Sequence, residues 1–501
     1  MFLLHPAILA VVPVLFLYSR NQGQASFTDV LRPAGIALGL ALLLLVLLRL
    51  ALKDWQASAI IVSSVLVLFY TYGRVVEALG GSVAVQVVVG VAWLAALALL
   101  CAFAVKRRGR LQKPTAILNT VAVTLAVLTL AGVVLNAGES KPAPRPRETE
   151  VAAAASEGER PPVGELPDVY YVILDGYASN ESLQEFYGFD NSDFTDALQE
   201  RGFYVTGSSR SNYLQSRLSL ASSLNLEYIN YLTEDLGADS RRAGVLNAMI
   251  EDNGLERFLR SRGYRYAFFG SNWSGTKSNR NADVSVTEGS WLKGEFMTSL
   301  LKTTALRGLV GEEEGLYTRE GVLRAFSLIP GIREELDGPA FVFAHIVPPH
   351  RPFLFDRDGN PAGGGRGSWR ESDRYIEQVM FVNGKTLEMV DEILERSERT
   401  PVIIIQADHG PMPVGDPEGI ADPTPEEAAL RSGILNAVLL PGGEGLLYPA
   451  ISPVNNFRVV LNELFDTGFA VLDDRVYASS YARPYDFRDI TDLVLKQGSP
   501  E

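Results

Sequence analysis

Five long apolar runs crowd into the first 137 residues and constrain the fold more than any other feature of the chain. They are Phe2 to Tyr18, Pro33 to Leu48, Ala57 to Tyr72, Val83 to Val105 and Ala116 to Leu135. Each approaches the ~17 to 25 residues a helix needs to cross a bilayer, and none carries an internal charge. Helices apolar on every face need hydrocarbon or protein around them rather than water. The expectation is a five-helix transmembrane domain over residues 1–137. The first run lacks a basic leader and a small-residue cleavage site, so it reads as the first span and not as a signal peptide.

Orientation follows from charge. Lys106 to Lys113 holds five basic residues between the fourth and fifth runs, whereas the segment after the fifth begins with Glu139. Basic loops stay in the cytoplasm. The N-terminus is then inside and everything after Leu135 outside, although Arg20, Arg32 and Arg74 fall on the outer side. The only cysteine, Cys101, lies in the fourth run, so the external part has no disulfide. With more than 300 residues it is long enough to be held by its own core. A formal net charge of −14 and the lack of a basic, aromatic-interleaved stripe exclude nucleic acid as a partner.

Residues 138–167 are rich in Pro, Ala and charge and read as an extracytoplasmic tether. Over 168–495, short apolar strands at 169–174, 266–269, 341–347 and 402–406 alternate with helical stretches such as Gly244 to Arg260 and Tyr375 to Glu395. That alternation predicts an α/β domain with a mostly parallel central sheet covered by helices. Ligands bind such sheets at the carboxyl ends of the strands. Those ends carry Asp175-Gly176, Ser271-Asn272, His345 leading to His350, and Asp408-His409.

Asp175, Asp408 and His409 form a ligand set for a divalent cation, with a hydroxyl as a fourth donor. Taken singly, Asp175 reads as a helix cap and Asp408-His409 as a turn before Pro411. The hydroxyl comes from "SNYLQSRLSLASSLN", where Ser211, Ser216, Ser219, Ser222 and Ser223 all remain open. A serine at a helix N-terminus usually caps it, yet the same geometry stabilises an alkoxide and a phosphoryl group.

Together "VILDGY", "NYLQSRLSLASSLN", "HIVPPHRPF" and "QADHGPM" resemble the alkaline phosphatase and sulfatase superfamily. Preceded by five apolar runs and a tether, they look most like lipoteichoic acid synthases and lipid A phosphoethanolamine transferases. The resemblance implies one metal (Mn, Mg or Zn) on Asp175, Ser216, Asp408 and His409, with Ser216 as nucleophile. Asp replaces the family's usual Glu at 175, and Ser its Thr at 216. Two-metal members use a histidine after the Asp-His pair, and none follows His409. Sulfatases need a Cys or Ser followed by x-Pro-x-Arg, and Ser216 is followed by Arg-Leu-Ser. By the same resemblance His350 is catalytic and Arg280 binds substrate, while His345 is a substrate-binding candidate as a strand residue that could face the site. For His345 and Arg280 a core or loop role is the plainer reading; for His350 the functional reading outweighs that of a loop histidine bonded to backbone. Near the C-terminus, Asn455 and Asn456 read as caps of the following helix.

The expected function is metal-dependent transfer of a phosphorylated head group from a membrane phospholipid to a hydroxyl of an envelope glycan or lipid, through phosphoserine. The alternatives are a membrane-anchored phosphodiesterase, phosphatase or sulfatase-like hydrolase, and a non-catalytic membrane-anchored binding protein.

Overall fold

The computed structural model describes residues 2–21, 27–138, 150–156, 166–271, 273–287, 295–309, 318–363, 371–412 and 419–495. The chain divides into two compact units: Met1–Pro142 with Ser290–Gly315, and Ala143–Gly289 with Leu316–Glu501.

The first unit contains α1 (His5–Arg20), α2 (Phe27–Leu52), α3 (Trp55–Ala78), α4 (Val83–Lys106) and α5 (Gln112–Gly138). Four of them are long and apolar enough to cross a membrane. The helix α1 is shorter: its 16 residues rise about 24 Å, less than a typical hydrocarbon core. The five-span expectation is met by four full-length helices and this fifth, shorter one. Leu50, Leu94, Leu99 and Leu135 are 69 to 72% exposed, a surface that lipid would cover and water would not. The start of α1 is tied to α5, where Asn119 Oδ1 accepts from the Leu4 and His5 amides at 3.1 and 3.0 Å. Asp54, the N-cap of α3, accepts from Gly109 N at 3.1 Å, so the loops before α3 and before α5 share one end of the bundle.

A segment after the fourth sheet strand also belongs to this unit. Helix Glu295–Lys302 buries Phe296, Met297 and Leu300 against Val14, Val30 and Tyr70, and Gly73 N donates to Thr303 O at 3.0 Å. Nothing in its hydrophobic period marks it as part of the helical bundle; only the tertiary packing does.

The second unit is built on a seven-stranded sheet. Its strands are β1 (Val169–Leu174), β2 (Tyr204–Val205), β3 (Arg265–Phe269), β4 (Val284–Val286), β5 (Ala340–Ile346), β6 (Val402–Gln406) and β7 (Asn436–Leu439), in the order β2-β7-β6-β1-β5-β3-β4. The five strands from β6 to β4 pair in parallel, whereas β7 is antiparallel to both β6 and β2. The sheet is mixed. Reversal at β7 follows from its connection, because β6 leads into helix Pro425–Ser432 and the chain re-enters the sheet from the same end.

Strand β1 is buried at every position, each apolar side chain worth about 1.5–3 kcal/mol of burial. Its alternation sends Tyr170, Val172 and Leu174 to one core and Val169, Tyr171 and Ile173 to the other. The first core is closed by helices Asn180–Tyr187, Ser192–Glu200, Arg319–Leu328 and Ser372–Arg396. The second is closed by Ser216–Ser223, Ala243–Glu251, Gly254–Ser261 and Pro453–Phe465. The stretch expected as one helix from Gly244 to Arg260 breaks at Asn253, whose side chain caps the second piece through Glu256 N at 2.8 Å.

The tether expectation is interrupted. Glu150–Ser156, "EVAAAAS", forms α6, and its Val151 is buried in the second core. Alanine has the highest helix propensity and one apolar anchor suffices to dock a short turn; the remaining tether residues, 139–149 and 157–165, lie outside the described ones. Asn455 and Asn456 are not caps either. Ser452 is the N-cap and Pro453 follows it, while both asparagines are fully buried. Asn456 Nδ2 donates to Gln406 Oε1 and Asn436 Oδ1 at 2.8 and 2.9 Å, joining the helix to β6 and β7.

Candidate active site

The order β6-β1-β5 brings three strand ends side by side. Ile173 pairs with His345 on one side and with Gln406 on the other. By the two-residue alternation, Asp175, His345 and Asp408 all fall on the face that carries Ile173, Phe343 and Ile404, which is the face covered by helix Ser216–Ser223. Ligand atoms of Asp175, His345 and Asp408 lie within 4.8 Å of one another.

The turns after the strands are shaped to hold these side chains. Gly176 has φ +71°, which lets the chain double back so that its N–H donates to Asp408 Oδ1 at 3.2 Å. Asp408 Oδ1 also accepts from His409 N at 3.0 Å. A Cβ on Gly410 would stand 2.1 Å from the Leu430 carbonyl oxygen, so only glycine lets this turn pass the helix behind it.

Of the five candidate serines, Ser216 alone is partly exposed; Ser211, Ser219, Ser222 and Ser223 are buried. Ser216 is the first residue of its helix, after Gln215 in extended conformation. Gln215 makes no side-chain cap and instead donates to Ser479 O at 2.8 Å, which leaves the helix's positive end to the site. The Ser216 Oγ lies 2.9 Å from His409 Nε2. A carbonyl only accepts, so the contact of His409 Nδ1 with Gly410 O at 3.0 Å puts the hydrogen on Nδ1 and the lone pair on Nε2.

His350 reaches the same place by another route. Its amide donates to Asp175 O at 2.9 Å, its ring is 6.4 Å from that of His409, and Nδ1 contacts Arg351 O at 2.6 Å. Gln378, fully buried on helix Ser372–Arg396, holds this loop by donating to Pro349 O and His350 O and accepting from Leu354 N. Arg280 is not brought to the cluster. Its guanidinium forms a two-pronged pair with Glu251 at 2.8 and 2.9 Å, and its side chain is 82% exposed, as a cation in a polar loop readily becomes. Asn272 lies outside the described residues.

The electrostatics are those of a site short of positive charge. Burial pushes the Asp408 carboxyl up to about 7, with the Asp175 charge adding to it, and burial raises Asp175 as well. Burial also lowers His345 to about 4 and holds His409 and His350 below the ordinary imidazole range.

A divalent cation fits these residues. Among the described residues, Asp175 Oδ1, Asp408 Oδ2 and His345 Nε2 are buried polar atoms without a hydrogen-bond partner, and all three belong to this cluster. The separations are 3.3 Å for His409 Nε2 to Asp408 Oδ2, 3.5 Å for His345 Nε2 to Asp175 Oδ2 and 3.7 Å for His409 Nε2 to Asp175 Oδ1. Donors bonded to one ion at about 2.0–2.2 Å stand roughly 3.0–3.6 Å apart, so these gaps match ligand spacing better than hydrogen bonding.

Sequence reasoning passed over Arg431. It is the largest fully buried side chain, its Nε donating to Leu214 O at 2.9 Å and its Nη1 to Gly410 O at 2.7 Å. It thereby ties the loop before Ser216 to the turn after His409. The available signal was a single charged residue in the mostly apolar "AALRSGILNAVLL".

No protein-family model and no curated protein matches the chain. Several solved structures are similar to it. The periplasmic domain of EptC from Escherichia coli, in complex with Zn, is 11% identical over 66% of this chain and 93% of its own, with a TM-score of 0.41. Full-length lipooligosaccharide phosphoethanolamine transferase A from Neisseria meningitidis, an integral membrane protein, is 13% identical over 92% of this chain and 95% of its own, with a TM-score of 0.40. The chain is similar to membrane phosphoethanolamine transferases. Phosphonate monoester hydrolase of Agrobacterium radiobacter also matches, at 13% identity over 62% of this chain and 80% of its own, with a TM-score of 0.38. Residue roles rest on the geometry of this site.

Proposed function

We propose that the protein is a membrane-anchored, metal-dependent transferase that moves a phosphorylated head group from a phospholipid to an acceptor hydroxyl of an envelope glycan or lipid. One observation carries the reading: the single partly exposed serine of its helix stands at an uncapped helix N-terminus, 2.9 Å from His409 Nε2 and beside two buried carboxylates.

Asp175, Asp408, His409 and the Ser216 oxygen would hold the ion, Zn²⁺ or Mn²⁺ suiting the nitrogen donor better than Mg²⁺. When bound, it supplies positive charge that lowers the pKa of the serine hydroxyl. Ser216 Oγ attacks phosphorus, forming an Oγ–P bond as the P–O bond to diacylglycerol breaks and the serine proton passes to the departing diacylglycerol oxygen; the acceptor oxygen then bonds to phosphorus as the Oγ–P bond breaks and its proton returns to Ser216 Oγ. The uncapped N–H groups of helix Ser216–Ser223 face the charge on the phosphoryl oxygens. His350, whose Nδ1 contacts Arg351 O and whose ring lies 6.4 Å from that of His409, would relay the proton between the reacting oxygens. The apolar helices and the orientation of the basic Lys106–Lys113 loop support a site outside the cytoplasm, beside the outer leaflet.

Incubating the full-length protein with head-group-labelled phosphatidylethanolamine or phosphatidylglycerol tests this. A mass increment on Ser216 equal to the phosphorylated head group, with diacylglycerol released, is expected. Diacylglycerol release with only free head-group phosphate would make the protein a hydrolase; no turnover of either lipid would leave the binding-protein alternative.

A further inference from the structure

We propose that His345 Nε2 is a fifth protein donor to the cation, beyond the four-residue set of Asp175, Ser216, Asp408 and His409. The inference rests on the metal-dependent reading given above.

His345 sits on β5 beside β1, with its side chain 0% exposed. A side chain so covered makes a poor contact for a lipid head group. Its Nδ1 is fully accounted for by two hydroxyls, Thr276 Oγ1 at 2.7 Å and Ser271 Oγ at 3.3 Å, both buried. Its Nε2 has no hydrogen-bond partner among the described residues and points at the carboxylates, 3.5 Å from Asp175 Oδ2. An ordinary core histidine would leave that nitrogen buried and unpaired, and the nearby Asp175 Oδ1 and Asp408 Oδ2 orphaned with it. One ion between them satisfies all three atoms. The hydroxyl pair on Nδ1 then does what outer partners of metal-bound histidines do: it fixes the ring's orientation and leaves the other nitrogen for the ion. Trp273, edge-on to the His345 ring at 5.6 Å, blocks rotation of the imidazole away from the site.

Sequence parity carries the same point. Counting by twos along β5 places His345 on the same face as Phe343, and the same count places Asp175 and Asp408 there on β1 and β6. A second nitrogen donor also biases the site toward Zn²⁺ or Mn²⁺ over Mg²⁺.

The test uses the full-length protein in detergent, stripped of metal and titrated with Co²⁺, with affinity read by chelator competition and coordination by the visible ligand-field spectrum. In the parent, one Co²⁺ binds with the weak bands of a five-coordinate site. His345→Leu weakens binding by at least about tenfold and shifts the spectrum toward the stronger tetrahedral bands. Thr276→Val, which keeps the side-chain volume and removes the Nδ1 partner, weakens binding by about tenfold; it decides the matter if His345→Leu does not fold. Parental affinity and spectrum in both variants would overturn the fifth donor while leaving the cation in place. A parent that binds no Co²⁺ would overturn both readings together.

Discussion

Ser216 Oγ and His409 Nε2 meet at 2.9 Å across 193 residues of sequence, because the turn after β6 brings His409 to the N-terminus of the helix that starts at Ser216. The pair places a hydroxyl, a lone pair and a helix N-terminus at one point. Most of what can be tested about the protein follows from that juxtaposition.

Removing the hydroxyl tests the nucleophile directly. Ser216→Ala should abolish the head-group adduct and lower turnover by about a thousandfold or more. Because Ser216 is partly exposed and caps nothing, the thermal midpoint should stay near the parent value. Intact-mass analysis and a melting curve separate the two effects; an adduct that persists on the variant would move the nucleophile elsewhere.

Metal affinity should depend on pH with a defined sign. The Asp408 carboxyl is raised to about 7, so in the metal-free protein it stays protonated below that value and a proton must leave as the ion enters. Affinity should therefore fall about tenfold per pH unit below about 7 and level off above it. The imidazoles add nothing near neutrality, since burial already keeps them uncharged. Competition titrations on either side of neutrality check the slope, and a flat profile would contradict the raised carboxyl.

Arg431→Met should destabilise the protein by about 2–4 kcal/mol, because the buried carbonyls of Leu214 and Gly410 each lose a charged donor. Lysine at 431 has one nitrogen where the guanidinium uses two, so it should recover only part of the loss. Thermal denaturation of both variants reads the difference.

Asn456→Ala should cost about 2–4 kcal/mol, since it strips the donors from Gln406 Oε1 and Asn436 Oδ1 inside the buried core. Asn456→Leu, which fills the volume, should do no better. A leucine variant as stable as the parent would show that packing, and not the amide network, holds this helix against β6 and β7.

Arg280→Ala should leave turnover, metal affinity and melting at parental levels, because its partner Glu251 is remote from the cluster's hydrogen bonds and the pair is solvated. Loss of turnover in this variant alone would return Arg280 to the substrate site.

Local chemistry made much of the molecule readable from sequence. Runs of apolar residues marked the membrane-crossing helices, and β1, β5 and β6 were visible as continuous β-branched and aromatic stretches, because a strand buried on both faces has no polar alternation to hide it. Asp175, Asp408 and His409 stood out together, at the ends of two apolar strands, where each alone reads as a cap or a turn. Less legible were the short edge strands β2 and β4, whose few residues carry almost no pattern, and α6, whose alanines look like tether until Val151 finds a core.

Sequence alone determined that acids and imidazoles at strand ends and an apolar helical unit belong to one chain, because residue type at a strand end and length of an apolar run are local properties. Tertiary structure decided which serine is exposed, that β7 runs against its neighbours, that His345 points into the carboxylates while Arg280 turns to Glu251, and that Glu295–Lys302 packs on the helical unit. Those outcomes depend on strand order and on which side chains fill the space around each group, and neither quantity exists until the whole chain has closed on itself.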